Sequence, residues 1–216
     1  MVPQRIEFLT DDGLTLEGEL RMPDGSARGA AVICHPHPQF GGSKDHPLLW
    51  AIRIELAQRD FAVLSFNFRG VMGSEGEYGG GVAEVTDVRA AVGWAREEVA
   101  GPSFLAGWSF GAHVALREAV EHDRVDALAL VGIPLLDSSQ PPLPEDDVLS
   151  AYVRPVLLLS GGADGFCPEP ELRDLGEKLG RATIEVVPGA DHYFAKRERE
   201  GGRIVAEFAA RAIEAG

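Results

Sequence analysis

Short, mostly apolar runs alternate along this chain with longer stretches whose apolar positions recur every three to four residues. The first two runs, RIEFLT at 5–10 and LTLEGELRM at 14–22, alternate apolar and polar positions and flank Asp11-Asp12-Gly13. That combination predicts a hairpin, because Asp-Gly readily supplies the positive φ of a tight turn between two strands. AAVICHP (30–36), FAVLSFNF (61–68), SFLAGW (103–108), ALALVGI (127–133), PVLLLSG (155–161) and ATIEVV (182–187) have the length of strands buried in a covered sheet. Between them, residues 47–59 place Leu48, Leu49, Ile52, Leu56 and Ala57 on one helical face, and residues 83–99 do so with Val85, Val88, Ala91, Val92 and Ala95. Further helices are predicted over 110–121, 169–179 and 201–214.

A hairpin followed by repeated β-then-α units predicts the α/β class: a mostly parallel twisted sheet, an antiparallel N-terminal hairpin, and helices on both faces. Segment 134–154 interrupts the alternation with Pro134, Pro141, Pro142 and Pro144 and four acidic residues, and reads as a surface excursion with one short helix near 146–151. No internal repeat or linker divides the chain, so 1–216 reads as a single domain.

Composition narrows the function classes. With 216 residues, 45% hydrophobic and 25% charged, the chain can bury a sizeable core, which excludes disorder as its main state. Lys and Arg number 20 against 34 Asp and Glu, a formal charge of -14 that repels phosphate backbones. Lys196, Arg197 and Arg199 are interleaved with Glu198 and Glu200, so they form no basic patch, and no nucleic-acid partner is expected. Cys34 and Cys167 make no disulfide framework, and the opening MVPQRIEFLTDDG lacks a basic segment followed by an apolar one. No apolar stretch approaches 18 residues, so a reduced, cytoplasmic protein without a membrane span is expected.

Open parallel sheets bind ligands beyond the carboxyl ends of their strands, so polar residues just after a strand need explaining. Gly107-Trp108-Ser109-Phe110-Gly111 fits G-x-S-x-G, follows a predicted strand and opens a predicted helix. A serine there would stand on a sharp turn at a helix N-terminus, a site suited to a nucleophile; the plainer reading is a glycine-flanked N-cap. A serine hydroxyl needs a positioned base. Of the six histidines, His192 lies late in the chain, in the loop after ATIEVV, and is the candidate base; His113 follows Ser109 by one turn and His122 sits at a helix end. Asp164, directly after PVLLLSG, is the candidate orienting carboxylate, with Asp137 as runner-up, while Asp191 suits a loop cap.

An oxyanion would be held by the N–H of Phe110 and by a second amide from the loop 35–43. Pro36 and Pro38 have no N–H, which leaves His37 as first choice and Gln39 or Phe40 as alternatives. Cys34, His35, His37 and His46 raise the possibility of a metal site. In a continued strand, however, Cys34 and His35 face opposite sides, and no carboxylate completes a metalloenzyme motif. His35 is expected instead to brace the loop. Phe40, Trp108, Phe166, Tyr193 and Phe194 are candidate apolar walls, at least two of them expected in the core.

His35-Pro36-His37-Pro38-Gln39-Phe40-Gly41-Gly42, Asn67-Phe68-Arg69-Gly70-Val71-Met72-Gly73-Ser74-Glu75-Gly76, Gly107-Trp108-Ser109-Phe110-Gly111 and Gly189-Ala190-Asp191-His192-Tyr193-Phe194 together resemble the α/β-hydrolase superfamily. They are most similar to its small, lid-less, dienelactone-hydrolase-like bacterial esterases, and the likeness spans nearly the whole chain. The resemblance implies a serine hydrolase cleaving small-molecule carboxylic esters through an acyl-enzyme, with no cofactor or metal. Thioesterase, peptidase, or a non-catalytic binding module on the same fold are the alternatives. Dienelactone hydrolases carry cysteine and dehalogenases aspartate where this chain has Ser109, which argues against both reactions. Arg69 is expected to pair with Asp87 or Glu75, and Glu75 and Glu77 to lie in a solvated loop. Pro134–Arg154 is too short for a lid domain, so the site is expected to be open or covered by a partner subunit of a homo-oligomer.

Overall fold

The hairpin strands β1 (Gln4–Leu9) and β2 (Thr15–Arg21) pair antiparallel in a register that sets Leu9 opposite Thr15, closing the turn at Asp11-Asp12-Gly13. The computed structural model describes residues 3–214, so residues 1–2 and 215–216 of the expected span 1–216 lie outside the described residues. After the hairpin come β3 (Gly29–Cys34), α1 (Pro47–Ala57), β4 (Phe61–Phe66), α2 (Glu84–Glu98), β5 (Ser103–Trp108) and α3 (Phe110–His122). Then follow β6 (Ala127–Val131), α4 (Asp146–Ala151), β7 (Val156–Gly161), α5 (Glu169–Lys178), β8 (Ala182–Val187) and α6 (Glu198–Glu214). No helix among the described residues is long and apolar enough to cross a membrane.

Among the described residues, eight strands form one sheet in the order β1-β2-β4-β3-β5-β6-β7-β8. β2 is antiparallel to both its neighbours, and every other adjacent pair is parallel. The β2–β4 pairing extends the hairpin into the parallel sheet and leaves β1 and β8 as its edges. From β3 the chain steps one way to β4, then crosses back to β5 on the other side of β3. Such a reversal opens a crevice at the carboxyl ends of the two diverging strands, and the loop after β3 and the turn after β5 both end there.

The alternation of side chains sorts the core into two layers. Val32, Leu105, Leu128, Leu130 and Leu158 face Val88 and Val92 of α2, Val114 and Leu116 of α3, and Leu172 of α5. Ile33, Phe104, Ala106, Val131 and Leu159 face Leu48 and Ile52 of α1 and Val205 and Phe208 of α6. The connection from β6 to β7 carries only α4, anchored by buried Leu149, and no lid domain.

Several boundaries differ from the sequence reading, each for a local reason. β3 ends at Cys34, before Pro36, so the argument from strand faces reaches neither His35 nor His37. β6 ends at Val131 because Gly132 turns to φ 52°. α6 starts at Glu198 and runs through Gly201 and Gly202, three residues before the expected start. Arg69 binds Asp87 through Nε (2.9 Å) and Nη2 (2.7 Å), and its Nη1 donates to Asp12 in the hairpin turn at 2.9 Å. Glu75, the other expected partner, instead accepts from the Thr15 N–H at 2.7 Å. The guanidinium thereby ties the first turn, the loop after β4 and α2 into one cluster.

Two helical glycines are sterically opposite cases. A Cβ on Gly202 would stand 2.8 Å from the carbonyl carbon of Ala51 in α1, whereas one on Gly93 in α2 would meet nothing within 4 Å. Alanine favours a helix by about 1 kcal/mol over glycine, while overpacking costs about 1–3 kcal/mol. Gly93→Ala is therefore expected to stabilise the protein by about 0.5–1 kcal/mol and Gly202→Ala to destabilise it by about 1–2 kcal/mol, as read from urea unfolding midpoints.

Candidate active site

Ser109 joins β5 to α3 with φ 55° and ψ -122°, a conformation that residues with a side chain rarely adopt. The turn is tight enough that a Cβ on Gly107 would stand 2.2 Å from the Gly111 carbonyl oxygen, and one on Gly111 2.5 Å from the carbonyl oxygens of Cys34 and His35. Both positions exclude any side chain, which gives the G-x-S-x-G spacing its physical reason. The Ser109 N–H donates to the Val131 carbonyl at 2.9 Å, and its carbonyl accepts from Ala112 N–H at 2.9 Å, locking the turn between β6 and the helix.

His192 arrives from the loop after β8. Its Nε2 lies 2.9 Å from Ser109 Oγ and its Nδ1 2.8 Å from Asp164 Oδ2. Asp164 stands in the loop after β7, where its Oδ1 accepts from the N–H groups of Phe166 (2.9 Å) and Cys167 (3.2 Å). The carboxylate is an acceptor, so Nδ1 carries the imidazole proton and Nε2 is left to accept from the serine hydroxyl. The Trp108 indole N–H donates to the His192 carbonyl at 3.1 Å and fixes the loop from below. Phe166 packs its ring 4.9 Å from the imidazole centroid. Asp191 caps the loop by accepting from Tyr193 and Ala195 N–H groups. The runner-up Asp137 lies elsewhere, at the cavity wall, bonded to Ser139 and Gln140.

The loop after β3 contains a one-turn 3-10 helix at Pro38–Phe40, capped by His37. The Gln39 N–H donates to His37 Nδ1 (3.2 Å) and the Phe40 N–H to the His37 carbonyl (3.1 Å), so both alternative oxyanion amides are already engaged. Among the described residues no acceptor is found for the His37 N–H. Phe110 is the first residue of α3, where a backbone N–H has no partner within the helix. His37 Nε2 meets the Tyr78 hydroxyl at 3.1 Å, and its ring packs against Phe110 and Phe40. His35 uses both ring nitrogens inside the protein: Nδ1 lies 2.6 Å from the Pro36 carbonyl and Nε2 accepts from Phe68 N–H at 3.0 Å.

A cavity of about 140 Å³ opens at Ser109 and His192. Phe40, Trp108, Phe166, Tyr193 and His37 line it, and so do residues not expected there as lining, among them His46, Pro134, Asp137 and Gln140. Phe40, Phe166 and Tyr193 remain largely exposed at its rim, while Trp108 is buried beneath it and Phe194 lies wholly in the core. His46 caps α1 by accepting from Leu48 N–H and stacks on Trp108 with ring centroids 4.2 Å apart. Glu75 and Glu77 are exposed and do not line the cavity. Gly132 closes the site from β6: a Cβ there would stand 3.1 Å from Asp164 Oδ2 and 3.3 Å from His192 Nδ1.

A family model described as an alpha/beta hydrolase domain matches residues 30–215. An uncharacterized protein of Rickettsia prowazekii is 24% identical over 201 residues, covering 89% of this chain and 83% of that protein. Among solved structures, an alpha-beta serine hydrolase homologue from Coxiella burnetii matches with a TM-score of 0.84 at 26% identity, covering 96% of this chain and 97% of that one. A Xanthomonas campestris protein described as a member of the a/b serine hydrolases without lid matches at 0.83 and 24% identity, covering 99% and 96% of the two chains.

Two outcomes are expected. Gly132→Ala forces a side chain onto a φ of 52° and against the His192–Asp164 pair, and is expected to destabilise the protein by about 1–3 kcal/mol, as read from urea unfolding midpoints. Burial pushes His35 and His113 down to about 4, so both stay uncharged in the fold. The unfolded chain, with histidines titrating near ~6.5, takes up those protons first. Stability is therefore expected to fall as pH drops from ~6.5 to ~4, by about 2 kcal/mol per histidine at pH ~5. Urea unfolding at pH ~7 and pH ~5 measures this, with His113→Leu expected to show the smaller loss.

Proposed function

The chain belongs to the alpha/beta hydrolase family, and from that premise we propose that it is a serine hydrolase cleaving carboxylic esters through an acyl-enzyme. The observation that carries this reading is the unbroken hydrogen-bonded run from Ser109 Oγ through His192 to Asp164, at 2.9 and 2.8 Å. Relatives described as serine hydrolases support it.

In this reaction Ser109 Oγ attacks the ester carbonyl while His192 Nε2 takes the hydroxyl proton. Asp164 stabilises the imidazolium that forms and keeps Nδ1 protonated. The N–H groups of Phe110 and His37 receive the negative charge on the carbonyl oxygen, and the N-terminal end of α3 adds its dipole. His192 returns the proton to the leaving alcohol as the carbon–oxygen bond breaks. Water, deprotonated by the same imidazole, then attacks the acyl-serine, and its collapse releases the acid and restores Ser109.

The test is hydrolysis of p-nitrophenyl esters of graded chain length, together with labelling by a fluorophosphonate. Ser109→Ala is expected to abolish labelling and lower kcat by roughly 10⁴-fold or more, and Asp164→Asn to lower kcat by about 10⁴-fold with Ser109 still in place. A native protein that neither labels nor hydrolyses any ester of the panel refutes the proposal and leaves a binding module on this fold.

A further inference from the structure

The cavity at Ser109 has an uneven charge. Among its lining residues there is no Lys or Arg. Burial pushes the imidazoles of His37 and His46 down, so neither adds a positive charge at neutral pH. Asp137 is the one carboxylate on the wall. Its oxygens accept from the Ser139 N–H at 2.9 Å, the Ser139 hydroxyl at 2.6 Å and the Gln140 amide at 3.1 Å. These donors hold its carboxyl below the usual carboxylate range. Phe40, Phe166 and Tyr193, all exposed at the rim, offer ring surface to whatever enters. One negative charge and three exposed aromatic rings lining the same cavity are a favourable setting for an organic cation, through Coulomb attraction and cation–π contact. It is unfavourable for a carboxylate, which finds no cationic partner to offset its lost hydration. The formal charge of -14 acts in the same direction at longer range.

Resting on the ester-hydrolase reading above, we propose that the site selects substrates by charge. It takes esters bearing an ammonium group near the scissile bond in preference to neutral ones and rejects esters bearing a carboxylate there, with Asp137 as the specificity-determining residue.

Three p-nitrophenyl esters of matched acyl length test this: the trimethylammonio-butyrate, its neutral tert-butyl isostere and the glutarate monoester. The expected order of kcat/KM is cation, neutral, anion. Because Asp137 is partly solvated, its share of the preference is modest, about 5- to 10-fold, and shrinks in high salt. Asp137→Asn keeps an acceptor for Ser139. It is expected to lower the cation-to-neutral ratio by about that factor and to raise the anion-to-neutral ratio. A wild-type cation-to-neutral ratio of one or less overturns the inference without recourse to any variant. So does a ratio that Asp137→Asn leaves unchanged, the result expected if Asp137 only braces its loop. In either case, hydrolysis of the neutral ester and phosphonate labelling keep the ester-hydrolase reading standing. Failure of all three esters together with absence of labelling overturns both.

Discussion

The geometry of the site depends on a single crowded turn. Holding Ser109 at φ 55° costs about 1–3 kcal/mol in isolation, so the surroundings must over-determine it. They do so by close approach of backbone to backbone. Gly111 brings the first turn of α3 against the carbonyls of Cys34 and His35, and Gly107 brings β5 against the same turn. Helix α3 is thereby wedged over the end of β3, and its N-terminus faces the crevice where the chain reverses direction in the sheet. The loop after β3 and the serine are thus positioned by one contact, which is why an amide of that loop lies at the same cavity as the hydroxyl.

The other half of the site is held more loosely in sequence but as tightly in space. His192 and Asp164 come from adjacent parallel strands, β8 and β7, whose register sets Ser160 beside Val186 and Gly161 beside Val187. The two loops therefore leave the sheet side by side. Asp164 receives three N–H donors, two from its own loop and one from the imidazole. Trp108, next to the serine, binds the His192 carbonyl, so the strand that ends at Ser109 also holds the loop of His192. Gly132, at the end of the strand between β5 and β7, leaves room for the imidazole by lacking a side chain.

Much of this was legible in the sequence. Buried parallel strands announce themselves as apolar runs, and the places of Ser109, Asp164 and His192 relative to those runs were enough to single them out. What was missed depends on contacts between distant segments. Gly202 falls inside the expected helix, but its need to lack a side chain shows only where α1 presses its Ala51 backbone against α6. His46 stands out in the sequence only among possible metal ligands; in the structure it caps α1 and stacks on Trp108, which brings it to the cavity. Tyr193 and Phe194 are indistinguishable in a loop of unknown shape. The positive φ of Phe194 turns its ring into the core and leaves Tyr193 at the rim. Arg69 had two plausible acidic partners, and the choice fell to Asp87 together with Asp12, whose hairpin turn the sequence places far away.

The walls of the cavity are not independent of its chemistry. Phe166 donates its N–H to Asp164 Oδ1, while its carbonyl accepts from the N–H groups of Leu135 and Leu136 in the excursion after β6. The same residue thus orients the carboxylate, packs its ring on His192 and anchors the segment that brings Pro134, Asp137 and Gln140 to the cavity. A fold with a lid separates these tasks, because the lid covers the substrate and the sheet loops hold the reacting groups. Here short loops both line the cavity and hold Asp164 and His192. Side chains of that segment can change with little effect on the imidazole only while the two bonds to the Phe166 carbonyl are kept. Variation in charge at position 137 is therefore open to such a site, whereas variation in the backbone at 135 and 136 also disturbs Asp164.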